Sequence, residues 1–434
     1  MSQSSARIPS MSPSLLIVNP DAFSTGWRAA TPRTMDIAEG LTRYGWNVSM
    51  LTKRLSYSTD HSALEASFQG RIIRTPFSGT YIPWMDTSDF LRRANRGLWK
   101  LKGKAYYERT FQFGWAARTA QWAKRAWRSN LPDVIWTISS SNLSGAIAGR
   151  YLSQIFSRPY VMELRDPPVY PGDDAPCPGF MCRFNRSLCH SSAVVTTTES
   201  YAAHLRKENG LNEEQVVPIY RSYRGELAKP LAKKNGDELI LLHAGSLTTS
   251  RGENARVLFE SLALVFKNNP SCRGRIRLRL IGGGRGTEEF KQLAAKMNLS
   301  TALECVDEMP FEQVKKEMEA ADVLLVIKYL EDKYKMQIPG KLFESLGTGK
   351  PILGVMRRST EAAKILNHSG LGIVPEQMDV ATFSRIIIEL WNNRDRLNEV
   401  YQAKEDYVKQ FSPEIMAQRV DELLRNVVTK SRTD

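Results

Sequence analysis

The chain has 434 residues, 42% of them hydrophobic and 24% charged, with a formal net charge of +14. That length exceeds one ordinary hydrophobic core and suits two domains, and the composition excludes a disordered or fibrous chain. Apolar runs such as Val323–Ile327 are strand-sized, far short of the ~20 residues a membrane span needs, and five cysteines, an odd number, argue against a disulfide framework and for a reducing compartment.

Residues 1–14 are Ser-rich, carry one Arg and lack an apolar stretch, which predicts a disordered leader and a cytoplasmic chain. Residues 15–18 form a short apolar run ending at Asn19-Pro20, as a buried parallel strand does. A loop holding Thr25-Gly26 leads to a helix expected over 32–44. There Met35, Ile37, Ala38 and Leu41 keep mostly helical spacing, and Gly45 stops it. Strand 48–52 completes a βαβ opening with a glycine in its first turn. Helix 111–128 and strand 133–137 follow, then helix 143–156 with strand 160–164, then strand 194–197 with helix 201–207. Around 224–237 the pattern dissolves into a linker containing Lys, Pro and Gly.

A second series opens with strand 239–243, helix 254–267 and strand 276–281, which ends in Gly282-Gly283-Gly284. Helix 288–297, strand 302–306, helix 311–320, strand 323–327, helix 339–346 and strand 352–355 complete it. Residues 413–428 read as an amphipathic helix packing back across the first domain. Strands alternating with helices twice over predict the α/β class with two parallel-sheet domains. The expected division is leader 1–14, N-terminal acceptor domain 15–228, C-terminal donor domain 229–410 and a terminal helix 411–434.

The charge is unevenly spread. Residues 1–230 hold 29 Lys and Arg against 18 Asp and Glu, whereas the remainder holds 31 against 28. Between residues 91 and 130, Arg92, Arg93, Arg96, Lys100, Lys102, Lys104, Arg109, Arg118, Lys124, Arg125 and Arg128 face only Glu108. Six of the nine tryptophans (84, 99, 115, 122, 127 and 136) lie close by. Phe111, Trp115, Trp122 and Ala126 share a helical face and are expected in part as core. Cations interleaved with Trp and Tyr suit the headgroup layer of an anionic membrane; a solvated helix face is the alternative. Cys177, Cys182 and Cys189, followed by His190, lack paired Cys-x-x-Cys spacing, so free thiols in a loop are expected and no metal or cofactor.

The densest signal is residues 337–351, Gln-Ile-Pro-Gly-Lys-Leu-Phe-Glu-Ser-Leu-Gly-Thr-Gly-Lys-Pro. Pro339 suits a first helical turn, Gly347 and Gly349 end the helix within about two turns, and Lys350-Pro351 leads into a strand. A helix N-terminus opening on a crevice offers amides to a diphosphate, and Glu344 one turn in could accept from ribose hydroxyls. On spacing alone, an ordinary α/β crossover with solvated Lys341 and Glu344 remains an equal alternative.

Pro-x-Lys-Leu-Phe-Glu-x-Leu-x-x-Gly-Lys-Pro-Ile-Leu is similar to the donor-binding helix of family 4 glycosyltransferases. The resemblance implies the GT-B architecture, two Rossmann-like doubly wound domains facing a central cleft, and a ribose-binding role for Glu344. Leu242-His243-Ala244-Gly245-Ser246-Leu247, with Arg251 beyond, resembles the family's first strand of the second domain. There Gly245 and Ser246 let backbone approach the phosphates, and Arg251 with Lys341 neutralises them. Ile281-Gly282-Gly283-Gly284 resembles the next strand end, which puts Gly283 near the nucleotide, and Gly26 matches the N-terminal glycine loop.

In the first domain Glu163-Leu164-Arg165-Asp166-Pro167 resembles the Leu-Arg-Asp-Pro segment of related transferases. The resemblance implies Asp166 as a base or acceptor-orienting group and Arg165 as a stabiliser of the leaving diphosphate. A buried Arg–Asp pair tying two loops is the structural alternative. The family's retaining members carry two glutamates separated by seven residues; counted back from Glu344, the first falls on Met336, with Glu331 and Asp332 as nearby acids. His190 and His204 are read as incidental.

These readings predict a cytoplasmic, peripherally membrane-bound hexosyltransferase of the retaining type. It would move a sugar from a nucleoside diphosphate to a glycan or lipid-linked acceptor of the cell surface. The competing classes are a nucleotide-sugar epimerase, a non-catalytic partner subunit suggested by Met336, and a nucleic-acid-binding protein, disfavoured because the basic residues sit in no nucleic-acid motif.

Overall fold

The computed structural model describes residues 12–22, 30–53, 65–76, 114–127, 129–139, 143–168, 178–229, 237–245, 249–282 and 287–433. The chain divides into two units: residues 1–220 with 416–434, and residues 221–415.

In the first unit the strands are β1 (Ser14–Val18), β2 (Asn47–Thr52), β3 (Arg71–Arg74), β4 (Val134–Ser139), β5 (Tyr160–Leu164), β6 (Ala193–Thr196) and β7 (Val216–Pro218). They pair in parallel in the order β3-β2-β1-β4-β5-β6-β7. The continuous burial of the central strands β4 and β5 is what helices on both faces of a parallel sheet require. The helices are α1 (Ala30–Arg43), α2 (Gly114–Ala126), α3 (Ser144–Phe156), α4 (Pro178–Cys189) and α5 (Glu199–Asn209). Thr198 caps α5 by accepting from the Tyr201 N–H, and Gly210 closes it in the left-handed region. Cys182 and Cys189 therefore lie on a helix, not in a loop, and both are exposed free thiols.

Trp115 of α2 is fully buried and donates through Nε1 to Thr75 Oγ1 at 3.2 Å, so this aromatic is core. Ala126, expected on the same face, is exposed.

In the second unit β8 (Leu239–Ala244), β9 (Ile276–Ile281), β10 (Leu303–Val306), β11 (Val323–Ile327), β12 (Ile352–Val355) and β13 (Gly372–Ile373) form a parallel sheet. Its order is β10-β9-β8-β11-β12-β13. Its longer helices are α6 (Thr249–Asn268), α7 (Thr287–Lys296), α8 (Phe311–Ala320), α9 (Gly340–Gly347), α10 (Glu361–Ser369) and α11 (Val380–Asn392). Leu258, Phe259 and Leu262 of α6 meet Phe383 and Ile387 of α11 in one apolar core. Each such buried side chain contributes about 1.5–3 kcal/mol.

Helix α6 starts at Thr249, five residues before the position expected from spacing, despite Gly252 in its first turn. Pro339 is the N-cap of α9, not its first turn, with φ −59° and ψ 129°.

The last helix, α12 (Pro413–Thr433), sends Met416, Val420, Leu424, Val427 and Val428 into the core of the first unit, beside Ile37 and Leu41 of α1. A Cβ on Gly40 would lie 2.5 Å from the Ala417 Cβ, which explains a glycine inside α1. Trp46 Nε1 donates to Asp421 at 2.6 Å, fixing the register of that contact. Among the described residues no helix is long and apolar enough to cross a membrane.

Candidate functional site

In a doubly wound sheet, ligands settle beyond the carboxyl ends of the strands where the strand order reverses. In the second unit that reversal lies between β8 and β11. Gly245 follows β8 with φ +113°, a conformation that favours glycine. A Cβ there would sit 2.9 Å from Lys341 Nζ and 3.3 Å from its Cε, so the lysine stem lies directly against the glycine.

Lys341 is the second residue of α9, and its Nζ is 2.8 Å from Nε2 of His243. His243 is fully buried, and its Nδ1 is 3.0 Å from the Leu325 carbonyl across the strand reversal. A carbonyl only accepts, so Nδ1 carries the hydrogen and Nε2 accepts from the lysine ammonium.

Glu344 stands three residues after Lys341, which places both on one side of α9. Arg224 Nε lies 4.0 Å from Glu344 Oε1, and the Arg224 guanidinium covers the Phe311 ring at 4.6 Å. Arg221 lies over the start of α9: a Cβ on Gly340 would be 2.5 Å from its Nη1. Tyr223 packs against Gly347 in the same way, and the Ala228 N–H donates to the Gly347 carbonyl at 2.8 Å. Residues 221–228 thus form a strap along α9 that brings two guanidinium groups beside it.

Lys328, immediately after β11, is 2% exposed. Its Nζ donates to the carbonyls of Tyr334 at 2.7 Å and Lys335 at 3.3 Å, tying down the loop between β11 and α9. Burial pushes its ammonium down to about 8, with the charge of Glu361 acting in the opposite direction. Met336, in that loop, is buried. Asp332 is largely exposed and accepts from Arg357 Nη1 at 2.8 Å, and Glu331 is exposed too.

In the first unit the order reverses between β1 and β4. Asn19, just past β1, donates through Nδ2 to Thr34 Oγ1 at 2.7 Å. Arg165 follows β5, and its backbone N–H donates to the Ser139 carbonyl at 2.8 Å. Its buried Nε meets no acceptor among the described residues. Burial presses the guanidinium below its ordinary value and Arg33 adds to that, while Glu163, Asp166 and Asp21 pull it back. Thr197 Oγ1 donates to the Arg165 carbonyl at 3.1 Å, and the Tyr201 hydroxyl donates to the Asp166 carbonyl at 3.4 Å.

The fully buried ion pair of this edge is Arg33 with Glu163, at 3.2 Å. Arg33 also donates to the carbonyls of Ile219 at 3.0 Å and Tyr220 at 2.7 Å, and Glu163 Oε2 accepts from Trp136 Nε1 at 3.1 Å.

Gly245 and Lys341 are thus brought into contact, with Glu344 three residues further along α9. Arg165 and Asp166 sit side by side at the carboxyl end of β5 in the other sheet. Gly26, Ser246 and Gly283 lie outside the described residues, as do 92–113 and Arg128 of the basic stretch. Arg251 falls in the first turn of α6, its side chain outside the described residues. Among the described residues no group of three His, Cys, Asp or Glu is placed to hold a metal ion.

Sequence reading passed over His243, Lys328, Arg221, Arg224 and the Arg33–Glu163 pair. The signal for the first two was a polar residue breaking or ending an apolar strand, in Leu-Leu-His-Ala and Val-Leu-Leu-Val-Ile-Lys.

Comparison with known proteins follows the same division. Residues 28–221 match the Glycosyl transferase 4-like domain, and residues 226–407 match Glycosyl transferases group 1. No curated protein matches the chain by sequence. Among solved structures, the fold is similar to sucrose-phosphate synthase from Thermosynechococcus elongatus, with TM-score 0.67 and 16% identity, covering 96% of this chain and 100% of that one. It is similar also to HepE of Anabaena in complex with UDP and glucose, with TM-score 0.64 and 16% identity over 95% and 99% of the two chains. A glycosyltransferase from Rickettsia africae gives TM-score 0.64 at 14% identity over 96% and 98%. With both family matches spanning its two Rossmann-like sheets, the chain belongs to the group 1 glycosyltransferases of the GT-B fold.

Proposed function

We propose that this glycosyltransferase moves a hexosyl group from a nucleoside diphosphate sugar to a glycan or lipid-linked acceptor in cell-surface glycan synthesis. The observation that carries the donor half is the Lys341 ammonium held against Gly245 at the strand reversal of the second sheet, with Glu344 three residues on. HepE, a solved relative in fold, binds UDP and glucose. In this reading Lys341 and Arg251 face the diphosphate, Gly245, Ser246 and Gly283 let backbone approach it, and Glu344 accepts from the ribose hydroxyls.

The acceptor hydroxyl oxygen attacks the anomeric carbon on the face from which the diphosphate departs. The bond from that carbon to the diphosphate oxygen breaks, its electron pair stays on the diphosphate, and the hydroxyl proton passes to a carboxylate. Cations already fixed where negative charge grows stabilise that transition state without reorganising. Asp166 is the proposed proton acceptor or acceptor-orienting group, and Arg165, with its buried Nε, the cation on the acceptor side. The proposed division is an acceptor domain of residues 15–228, with Gly26 at its glycine loop, a donor domain of residues 229–410, and a terminal segment 411–434 returning to the first.

The proposed outcome is retention at the anomeric carbon, with Met336 standing where two-glutamate members carry an acid. Met336 also favours a second reading, a partner subunit that binds nucleotide without transferring sugar. The basic, aromatic residues between Arg92 and Arg128 are proposed to hold the chain on the anionic inner face of a membrane.

Purified protein mixed with UDP-, GDP- and ADP-sugars tests the donor reading. A thermal shift with nucleotide release supports the enzyme, a shift without release on any acceptor supports the partner subunit, and neither response overturns both. Flotation with anionic liposomes at low salt tests the membrane claim, and failure to float removes it.

A further inference from the structure

Lys341 meets a buried polar side chain near the end of β8. Its ammonium is bonded at 2.8 Å to Nε2 of His243, a ring with no exposed surface on a central strand. That ring is itself fixed by the 3.0 Å bond from Nδ1 to the Leu325 carbonyl. Backbone on β11 therefore sets the tautomer on β8, and the tautomer leaves one lone pair aimed at the lysine. A histidine charged at both nitrogens would point an N–H at an ammonium inside the protein, which desolvation and like charge both oppose.

We infer that His243 is the positioning residue for the donor-binding cation, holding the Lys341 ammonium at the mouth of the β8–β11 reversal. The choice of side chain follows from the ligand. An aspartate or glutamate at position 243 would orient the lysine equally well but would add a negative charge beside the diphosphate. A neutral imidazole orients the cation and adds none. The ammonium has three hydrogens and His243 takes one, so the bond sets the direction of the others. Gly245 completes the seat: its φ of +113° strains any other residue, and a Cβ there, 2.9 Å from Nζ, would push the ammonium aside.

This inference rests on the donor reading of Lys341, and a double-mutant cycle separates the two. The probe is whichever of UDP, GDP and ADP binds the wild type, measured by calorimetry. His243→Asn keeps a group near the Nδ1 position and loses the acceptor at Nε2; His243→Gln keeps an acceptor near Nε2. Loss of one hydrogen bond to a charged group predicts that His243→Asn weakens binding about tenfold or more. His243→Gln should stay within about threefold of wild type, and His243→Asn should cost nothing further once Lys341 is Met. In turnover, the Asn variant should lower kcat as well as raise the donor KM, because the same ammonium faces the diphosphate on which negative charge grows, and the Gln variant should restore both.

Wild-type affinity in His243→Asn alongside weakened Lys341→Met overturns the positioning role and leaves the donor site standing. Equal losses in the Asn and Gln variants, or additive losses in the double variant, also overturn it. Unchanged affinity in Lys341→Met overturns the donor reading, and a wild type that binds none of the three overturns both. Nitrogen-15 imidazole spectra of the wild type need no variant to fold: a neutral ring protonated at Nδ1 is expected, and protonation at Nε2 overturns the inference.

Discussion

The two sheets share a strand order through their first six strands but hold positive charge differently at their carboxyl ends. In the first unit Arg33 meets a carboxylate, Glu163, and the pair is fully buried and further satisfied by backbone carbonyls and an indole N–H. In the second, Lys341 is bonded to a neutral imidazole and Lys328 to two backbone carbonyls. A carboxylate balances the charge of the cation it binds, whereas a neutral imidazole orients an ammonium without adding negative charge. The second sheet is the one proposed to meet the diphosphate.

The largest expected effect breaks the first half of this comparison. Glu163→Ala leaves Arg33 buried without its carboxylate and should destabilise the fold by about 3–5 kcal/mol in urea titration. A loss below ~1 kcal/mol would show that the carbonyls alone satisfy the guanidinium.

Lys328 sharpens the second half through pH. Its folded value of about 8 lies below the ordinary 10.5, so between those values the unfolded chain binds more protons than the native one. Wild-type stability should therefore climb relative to Lys328→Met as pH rises through that window, by up to about 3 kcal/mol. A difference that stays flat with pH would mean the ammonium is not desolvated. Glu344→Ala comes next, with nucleotide affinity expected to fall about tenfold for the lost ribose contacts; unchanged affinity counts against that role.

Arg277→Ala should do least. Its Nη2 lies 2.7 Å from Glu238 Oε1, shorter than the Arg33–Glu163 contact, yet both side chains are largely exposed. A stability change under ~0.5 kcal/mol would confirm that burial, not distance, separates the two arginines.

Much of this fold was legible in the sequence because central strands of a parallel sheet are continuous apolar runs. β5, β9, β11 and β12 fall on the residues that patterning predicts. Edge strands β3, β7 and β13 were not seen: they span four, three and two residues, and β3 and β13 have no fully buried position to set a period. The expected start of α6 falls late: the structure keeps Gly252, a residue that costs about 1 kcal/mol in a helix, inside the first turn.

At the candidate site, Gly245, Lys341 and Glu344 stand out in the sequence because they are close in type and spacing to a known motif, and the structure sets Gly245 against Lys341. His243 and Lys328 were not, since what singles them out is a bond to backbone 82 and 6 residues away in sequence.

The last helix carries a consequence for how the protein is made. Its Met416, Val420 and Leu424 fill the core of the unit that begins with β1, while the whole second unit is encoded between. On the ribosome, the second sheet emerges entire before the first can close, since Trp46 waits for Asp421 and Gly40 for Ala417. A nascent chain released before residue 416 would present an open apolar groove along α1, the kind of surface that chaperones bind and proteases find.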